Sequence, residues 1–318
     1  MKLARPIVAA MLVTACSAGA ASKRVLLHLR APDLRTPLVE TFPSDPNPAD
    51  TLKAAVLARI QRDRAAAGLP PVAWDEAASR IADAFCAQQV REASRGHFLM
   101  DCIPPYARTG LSGIFGLEAQ NSVAWTTTAR RFSDPAVRLA LLGHDDMMAE
   151  RPPEDGHRRT ILDPQATHVG VGYALEGGRF QLAQEFLARD LERLSLSLLD
   201  GSRVSVRVIG MPLSDRRLEF VTIAREPSPS PLTREEATAR NRYSYPRASL
   251  AYVPTGSGRV RVVDTVTQER VHLRSNREFS FVFAPDRPGL YTMVFYMAAG
   301  ESQRPRPGGS ATLWVEED

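Results

Sequence analysis

Four residues of this 318-residue chain have the types and the settings for site chemistry: His97, Glu118, Glu150 and His157. Each stands beside a loop or at the end of an element, where functional side chains commonly emerge. Two imidazoles and two carboxylates that converge can take a divalent cation such as Zn²⁺, whose ordinary ligands are neutral imidazole nitrogens and carboxylate oxygens. In the favoured arrangement His97 and His157 are ligands while Glu118 and Glu150 orient them or hold a water; the reverse assignment is the alternative. Without a metal, the glutamates would hydrogen-bond the imidazoles and raise their pKa by charge proximity. Taken singly, each residue also has a plain structural reading. His97 can cap a helix C-terminus, Glu118 can be a helix-entry carboxylate, Glu150 a solvated residue of a last turn, and His157 a helix-start neighbour of Asp155. His144 is followed by Asp145 and Asp146, but adjacent residues on a helix diverge, so that trio is a weaker candidate. The sequence has no His-Glu-x-x-His helix, no Gly-x-Ser-x-Gly elbow and no phosphate-binding glycine loop.

The elements that must position these residues follow from periodicity. Asp50-Thr51 supplies an N-cap, and Leu52, Val56, Leu57 and Ile60 recur at helical spacing, predicting a helix to about Ala67 that stops at Gly68. A second helix from Trp74-Asp75 carries Ala78, Ile81, Ala82, Phe85 and Val90 on one face and ends before Gly96, leaving His97 just beyond its C-terminus. Residues 101–122 are loop-rich, with a short element expected from Glu118 to Trp125. A third helix is expected over Pro135–Glu150, beginning after Ser133-Asp134, and Val169–Leu175 and Phe180–Phe186 alternate around Glu176-Gly177-Gly178 as a β-hairpin. From about Leu194 the pattern changes to seven or eight short alternating runs, from Leu196–Leu199 to Thr312–Val315, which predict a β-sandwich. Pro227–Pro231 reads as an exposed loop or hinge inside this second unit. Its aromatics, Tyr243 and Tyr245 among them, allow carbohydrate stacking, although the alternation Phe279, Phe281, Phe283 is more simply a core face.

The segments Arg95-Gly96-His97-Phe98, Leu117-Glu118-Ala119-Gln120-Asn121, Met147-Met148-Ala149-Glu150 and Gly156-His157-Arg158-Arg159-Thr160-Ile161-Leu162 occur in this order. They are followed by Val169-Gly170-Val171-Gly172-Tyr173 and Gln184-Glu185-Phe186. Over about residues 50–190 this resembles the CAP superfamily of SCP-like domains, which includes cysteine-rich secretory proteins, venom antigens and pathogenesis-related plant proteins. The entry from Gly68-Leu69-Pro70 to Trp74-Asp75 fits the same pattern. The resemblance implies an α-β-α sandwich and a His-Glu-Glu-His cleft tetrad, carried here by His97, Glu118, Glu150 and His157. It points to a divalent metal such as Zn²⁺ and implies no settled reaction, members being more often lipid, sterol or partner binders. One departure is that the family's Gly-Glu-Asn stands here as Leu117-Glu118-Ala119, with the asparagine at Asn121.

The N-terminus bears on location. Lys2 and Arg5 precede the apolar run Ile7–Val13, in the order of an export signal over residues 1–21. Val13-Thr14-Ala15-Cys16 resembles a lipobox, which implies diacylation of Cys16 and an outer-membrane lipoprotein; ordinary cleavage after Ala18-Gly19-Ala20-Ala21 would instead leave a periplasmic or secreted protein. Residues 22–49, with Pro32, Pro37, Pro43, Pro46 and Pro48, suit a tether, followed by an α+β CAP-like unit over 50–192 and an all-β, immunoglobulin-like unit over 194–318. In an oxidising compartment Cys86 and Cys102 form an even pair, so a disulfide is expected, with two buried thiols as the alternative. The net charge is +4, but arginine supplies all but three of the 40 basic residues, and these are interleaved with acids. That scatter argues against a nucleic-acid surface. The expected function is an exported envelope protein that binds a lipid, cell-wall or protein partner in the His/Glu cleft. The alternatives are a metal-dependent peptide or ester hydrolase using the same residues, and a non-catalytic adhesive or structural protein.

Overall fold

The structure, a computed structural model, describes residues 27–29, 38–41, 48–126, 136–199, 204–254, 260–262, 272–274, 278–300 and 303–317. The export signal, Cys16 and the helix-start residues Ser133-Asp134 lie outside these. The described elements are, in order, β1 (Leu27–Leu29), β2 (Leu38–Thr41), α1 (Thr51–Ala66), β3 (Ala73–Trp74), α2 (Glu76–Glu92), α3 (Pro105–Leu111), β4 (Leu117–Thr126), α4 (Ala136–Ala149), α5 (Gly156–Ile161), β5 (His168–Glu176) and β6 (Arg179–Ala188). The second unit follows with β7 (Leu191–Leu198), β8 (Val206–Pro212), β9 (Arg217–Glu226), α6 (Arg234–Ala239), β10 (Leu250–Pro254), β11 (Val260–Val262), β12 (His272–Arg274), β13 (Glu278–Phe283), β14 (Gly289–Ala298) and β15 (Arg306–Glu317).

The first unit is α+β, with a sheet of order β3-β5-β6-β4 between helices. Side chains alternate along β6, so Phe180, Leu182 and Phe186 join Val56, Ile60, Leu139 and Met147 of α1 and α4 on one face. Ala183 points to the other face and meets Ala82, Phe85 and Cys86 of α2. Both leading helices start where a carboxylate can cap them. Asp50 accepts from Leu52 N at 2.8 Å and Lys53 N at 3.0 Å, and Asp75 accepts from Ala78 N at 2.6 Å. Asp75 also pairs at 2.6 Å with Arg189 beyond β6, tying the start of α2 to the sheet.

The second unit consists of two antiparallel sheets, β1-β15-β14-β9-β10-β11 and β12-β13-β8-β7-β2. Their facing residues, Leu194, Val208, Phe279 and Phe281 from one sheet and Val221, Met293, Phe295 and Leu313 from the other, form one core. Phe279, Phe281 and Phe283 are all buried there, as their alternation predicts.

Two expectations are corrected. Residues 22–49 do more than tether: β1 pairs antiparallel with β15 and β2 with β7, so this segment adds an outer strand to each sheet. Runs of three and four residues are too short for periodicity to reveal. The second correction concerns the disulfide. Cys86 and Cys102 are free thiols: Cys86 lies buried between α2 and β5 with its Sγ 3.4 Å from Gly172 O, while Cys102 Sγ lies 3.0 Å from Arg240 Nη1.

Candidate cleft built from both units

Helix α2 ends on Ala93 in the left-handed region, with φ 55°, and the chain turns again at Gly96, with φ 86°, before presenting His97. His97 Nδ1 lies 3.0 Å from Gln120 Oε1. The Gln120 amide is oriented by its other end, since Nε2 donates to Glu185 Oε1 at 2.7 Å. His97 therefore donates from Nδ1, which leaves a lone pair on Nε2 in the neutral ring. Burial holds His97 down at about 4, with the positive charge of His157 and Arg108 acting in the same direction and the Gln120 hydrogen bond opposing. Its ring is neutral at pH 7.

Glu150 follows α4 directly and serves α5. Its Oε2 accepts from His157 N at 2.9 Å, a donor that the first turn of α5 leaves open, and its Oε1 lies 2.5 Å from His157 Nδ1. Asn121 Nδ2 donates to His157 O at 3.1 Å, fixing the same residue from the β4 side. The His97 and His157 rings stand 6.2 Å apart between centroids, inclined at 47°. Both imidazoles thus have Nδ1 engaged by an outer partner and Nε2 available.

Glu118 is brought to the same region but is engaged differently. It is buried, 3 % exposed, and shares a hydrogen bond with the buried Glu185. Burial pushes both carboxyls up, Glu118 well above the usual range because the Glu185 charge adds to the effect, while Tyr243 and Arg108 oppose it. Tyr243, from the second unit, donates its hydroxyl proton to Glu118 Oε1 at 3.0 Å and accepts from Gln120 N at 2.5 Å. Two residues on, the Tyr245 hydroxyl accepts from Glu118 N at 2.8 Å. The Tyr243 ring meets His97 edge-on at 5.0 Å between centroids, and Tyr245 stacks on Tyr106 of α3 at 4.6 Å.

Of the four residues singled out from sequence, His97, Glu150 and His157 therefore lie together, and Glu118 sits beneath Tyr243. Among the described residues no group of three or more His, Cys, Asp or Glu side chains is placed to hold a metal ion. The donor chemistry that fits a divalent cation is the pair of imidazole nitrogens, with Glu150 and Gln120 as the outer partners that orient such ligands. His144 is engaged elsewhere: buried, with Asp63 Oδ2 2.8 Å from Nε2 and Gln184 Nε2 donating to Nδ1 at 3.1 Å. Sequence reasoning assigned no role to Gln120, Glu185 or Arg108, and placed Tyr243 and Tyr245 among the aromatics of the β unit. The one available signal was the pair of tyrosines two apart in a long polar connection.

Residues 57–186 match CAP, the cysteine-rich secretory protein family. Among curated proteins none matches. Among solved structures, an extracellular SCP-domain protein from Bacillus anthracis is 20% identical over 43% of this chain and 40% of its own, with a TM-score of 0.31. Na-ASP-1 is 15% identical over 45% and 38%, with a TM-score of 0.29. A cysteine-rich secretory protein from Staphylococcus aureus is 18% identical over 45% and 41%, with a TM-score of 0.29. The chain spans about two fifths of the length of each of these structures.

Proposed function

We propose, from the premise that residues 57–186 match the CAP family, that this chain is an exported binding protein whose cleft takes a divalent cation on His97 and His157 and a polar envelope ligand beside it. The observation that carries this reading is the imidazole pair, 6.2 Å between centroids, with both Nδ1 atoms already committed to Gln120 and Glu150. Such outer partners fix the ring orientation and raise ligand basicity. Bound there, a Zn²⁺ ion would supply a Lewis-acid centre for a carbonyl, carboxylate or phosphate oxygen of the ligand. On α5 and the turn that follows it, a groove of about 510 Å³ is lined by Arg158, Arg159, Thr160, Leu162 and Asp163, among others. Arg158 and Arg159 can pair with carboxylate or phosphate groups of a cell-wall or protein partner.

Binding is favoured over hydrolysis because both carboxylates are already in use. Glu150 holds His157, and Glu118 is hydrogen-bonded to Tyr243 and Glu185, so neither stands free as a general base. Calorimetry with Zn²⁺ tests the binding reading. His97→Ala and His157→Ala are each expected to weaken one-site binding at least about 100-fold, since each removes half of the nitrogen donors. Unchanged affinity in either variant would place any bound ion elsewhere.

The N-terminal pattern Val13-Thr14-Ala15-Cys16 supports a lipid anchor on Cys16 as the means of membrane association. The mass of the mature N-terminal peptide decides this: diacylated Cys16 supports the anchor, and a free terminus beyond Ala21 rejects it.

A further inference from the structure

Strands β9 and β10 are antiparallel neighbours, paired at Ile223 and Leu250, yet the chain does not turn directly from one to the other. Residues 227–249 leave the β unit, reach the α+β unit and return. Hairpin connections usually take about 2–5 residues, and loops beyond about 12–15 in a compact domain are usually functional. The regular structure in this excursion is α6, of six residues, opened by a capping box between Thr233 and Glu236. Most side chains from Thr233 to Ser249 face solvent. The segment is fastened at a few points: Leu232 N to Met100 O at 2.7 Å, Arg240 to Cys102 Sγ, the hydroxyls of Tyr243 and Tyr245, the buried Leu232 and Ala237, and the packing of both tyrosine rings against Tyr106 and Trp314. Between these points most of its side chains are exposed, and a segment held at few points opens at a lower free energy than the core.

The tyrosines occupy a particular place. β4 is the edge strand of its sheet, and Glu118 N and Gln120 N, two residues apart, point off that edge. The phenol oxygens take these amides as a neighbouring strand would, and the same Tyr243 hydroxyl closes on the Glu118 carboxyl.

We propose that residues 232–249 are a movable cover, latched by Tyr243, through which the β unit controls access to Glu118 and the β4 edge. Seated, the cover engages Glu118 and leaves His97, Glu150 and His157 as the reachable members of the cleft. Lifted, it presents the carboxyl and two edge amides to the ligand. This rests on the reading of the cleft as the ligand site.

A reversible lock tests it. A Cβ built on Gly96 lies 3.8 Å from Asn241 Cβ, the usual separation of about 3.8 Å across a disulfide. In a Cys102→Ser background, Gly96→Cys with Asn241→Cys gives one chain that is locked when oxidised and free when reduced. Any strain at the φ of 86° is common to both states. Amide hydrogen exchange at Glu118 and Gln120 and calorimetric Zn²⁺ affinity are read in each. In the reduced form both amides are expected to exchange at least about tenfold faster than core amides such as Val171 and Leu182. Oxidation is expected to slow them to the core rate and to leave Zn²⁺ affinity unchanged, since His97 and His157 are reachable with the cover seated. Exchange at the core rate in both forms overturns the proposal and makes the segment a fixed fastening. Exchange that responds to the lock without Zn²⁺ binding in either form keeps the cover and rejects the metal reading. Should the pair not fold, wild-type exchange decides: faster-than-core exchange at both amides supports the cover, and exchange at the core rate overturns it.

Discussion

Arg64→Met is expected to destabilise the chain by about 3–5 kcal/mol, read by urea unfolding at pH 7. Arg64 is fully buried, and its guanidinium donates to four carbonyls: Pro70 O at 3.0 Å, Ile161 O at 2.8 Å, Asp163 O at 2.9 Å and Ala166 O at 3.3 Å. Methionine keeps much of the volume and removes every donor. Each orphaned buried carbonyl costs about 1–3 kcal/mol, and relief of the buried charge offsets part of the sum. Burial lowers the Arg64 pKa, opposed by the Asp163 charge, which is the sign expected of a cation held by dipoles in a dry site. The consequence reaches the cleft, since Ile161 and Asp163 lie at the end of α5, whose first turn carries His157. Arg64→Lys should recover only part of the loss, because an ammonium cannot reproduce the planar fork. A loss under about 1 kcal/mol in Arg64→Met would mean that water replaces the guanidinium.

Gly172→Ala is expected to cost about 3 kcal/mol, also read by urea unfolding. A Cβ there would meet Ala82 C and Asp83 N of α2 at 2.2 Å, and one on Gly170 would meet Ser79 N at 2.2 Å. Both obstacles are helix backbone, so relief requires α2 as a whole to move off β5. That movement would also displace His97, which is presented from the C-terminal end of α2. Gly156→Ala is the control: a Cβ there meets nothing within 4 Å, and the change should stay within about 0.5 kcal/mol. Equal stabilities for the Gly172 and Gly156 variants would show that the helix can lift freely, against the close packing seen.

How far the sequence could be read depends on what each element buries. α1, α2 and the β5–β6 hairpin bury apolar residues at regular intervals, and the carboxylates of Asp50 and Asp75 mark their starts, so these elements were legible. The eight alternating runs after Leu194 were legible for the same reason, and all correspond to strands. β4 was legible in place, as a short element from Glu118 to Trp125, but not as a strand, because its buried side chains include Glu118, Gln120, Asn121 and Ser122, a polar set that carries no hydrophobic period. Three members of the tetrad were readable as residue types beside element ends. The position of Glu118 was not, since Glu185 and Tyr243 hold it, and Tyr243 is 125 residues away in sequence. Pairing of Cys86 with Cys102 was inferred from an even count, which is blind to direction: one thiol faces the Gly172 carbonyl and the other Arg240.

The central claim is that His97 and His157 share a cation through Nε2 while Gln120 and Glu150 keep their Nδ1 atoms. Long-range ¹H–¹⁵N correlation of the imidazoles during a Zn²⁺ titration reads this atom by atom. The expected result is a one-equivalent change at both Nε2 resonances, with both Nδ1–H signals retained. Unmoved resonances on both rings at saturating Zn²⁺, or a change confined to His28, His144, His168 or His272, would contradict it.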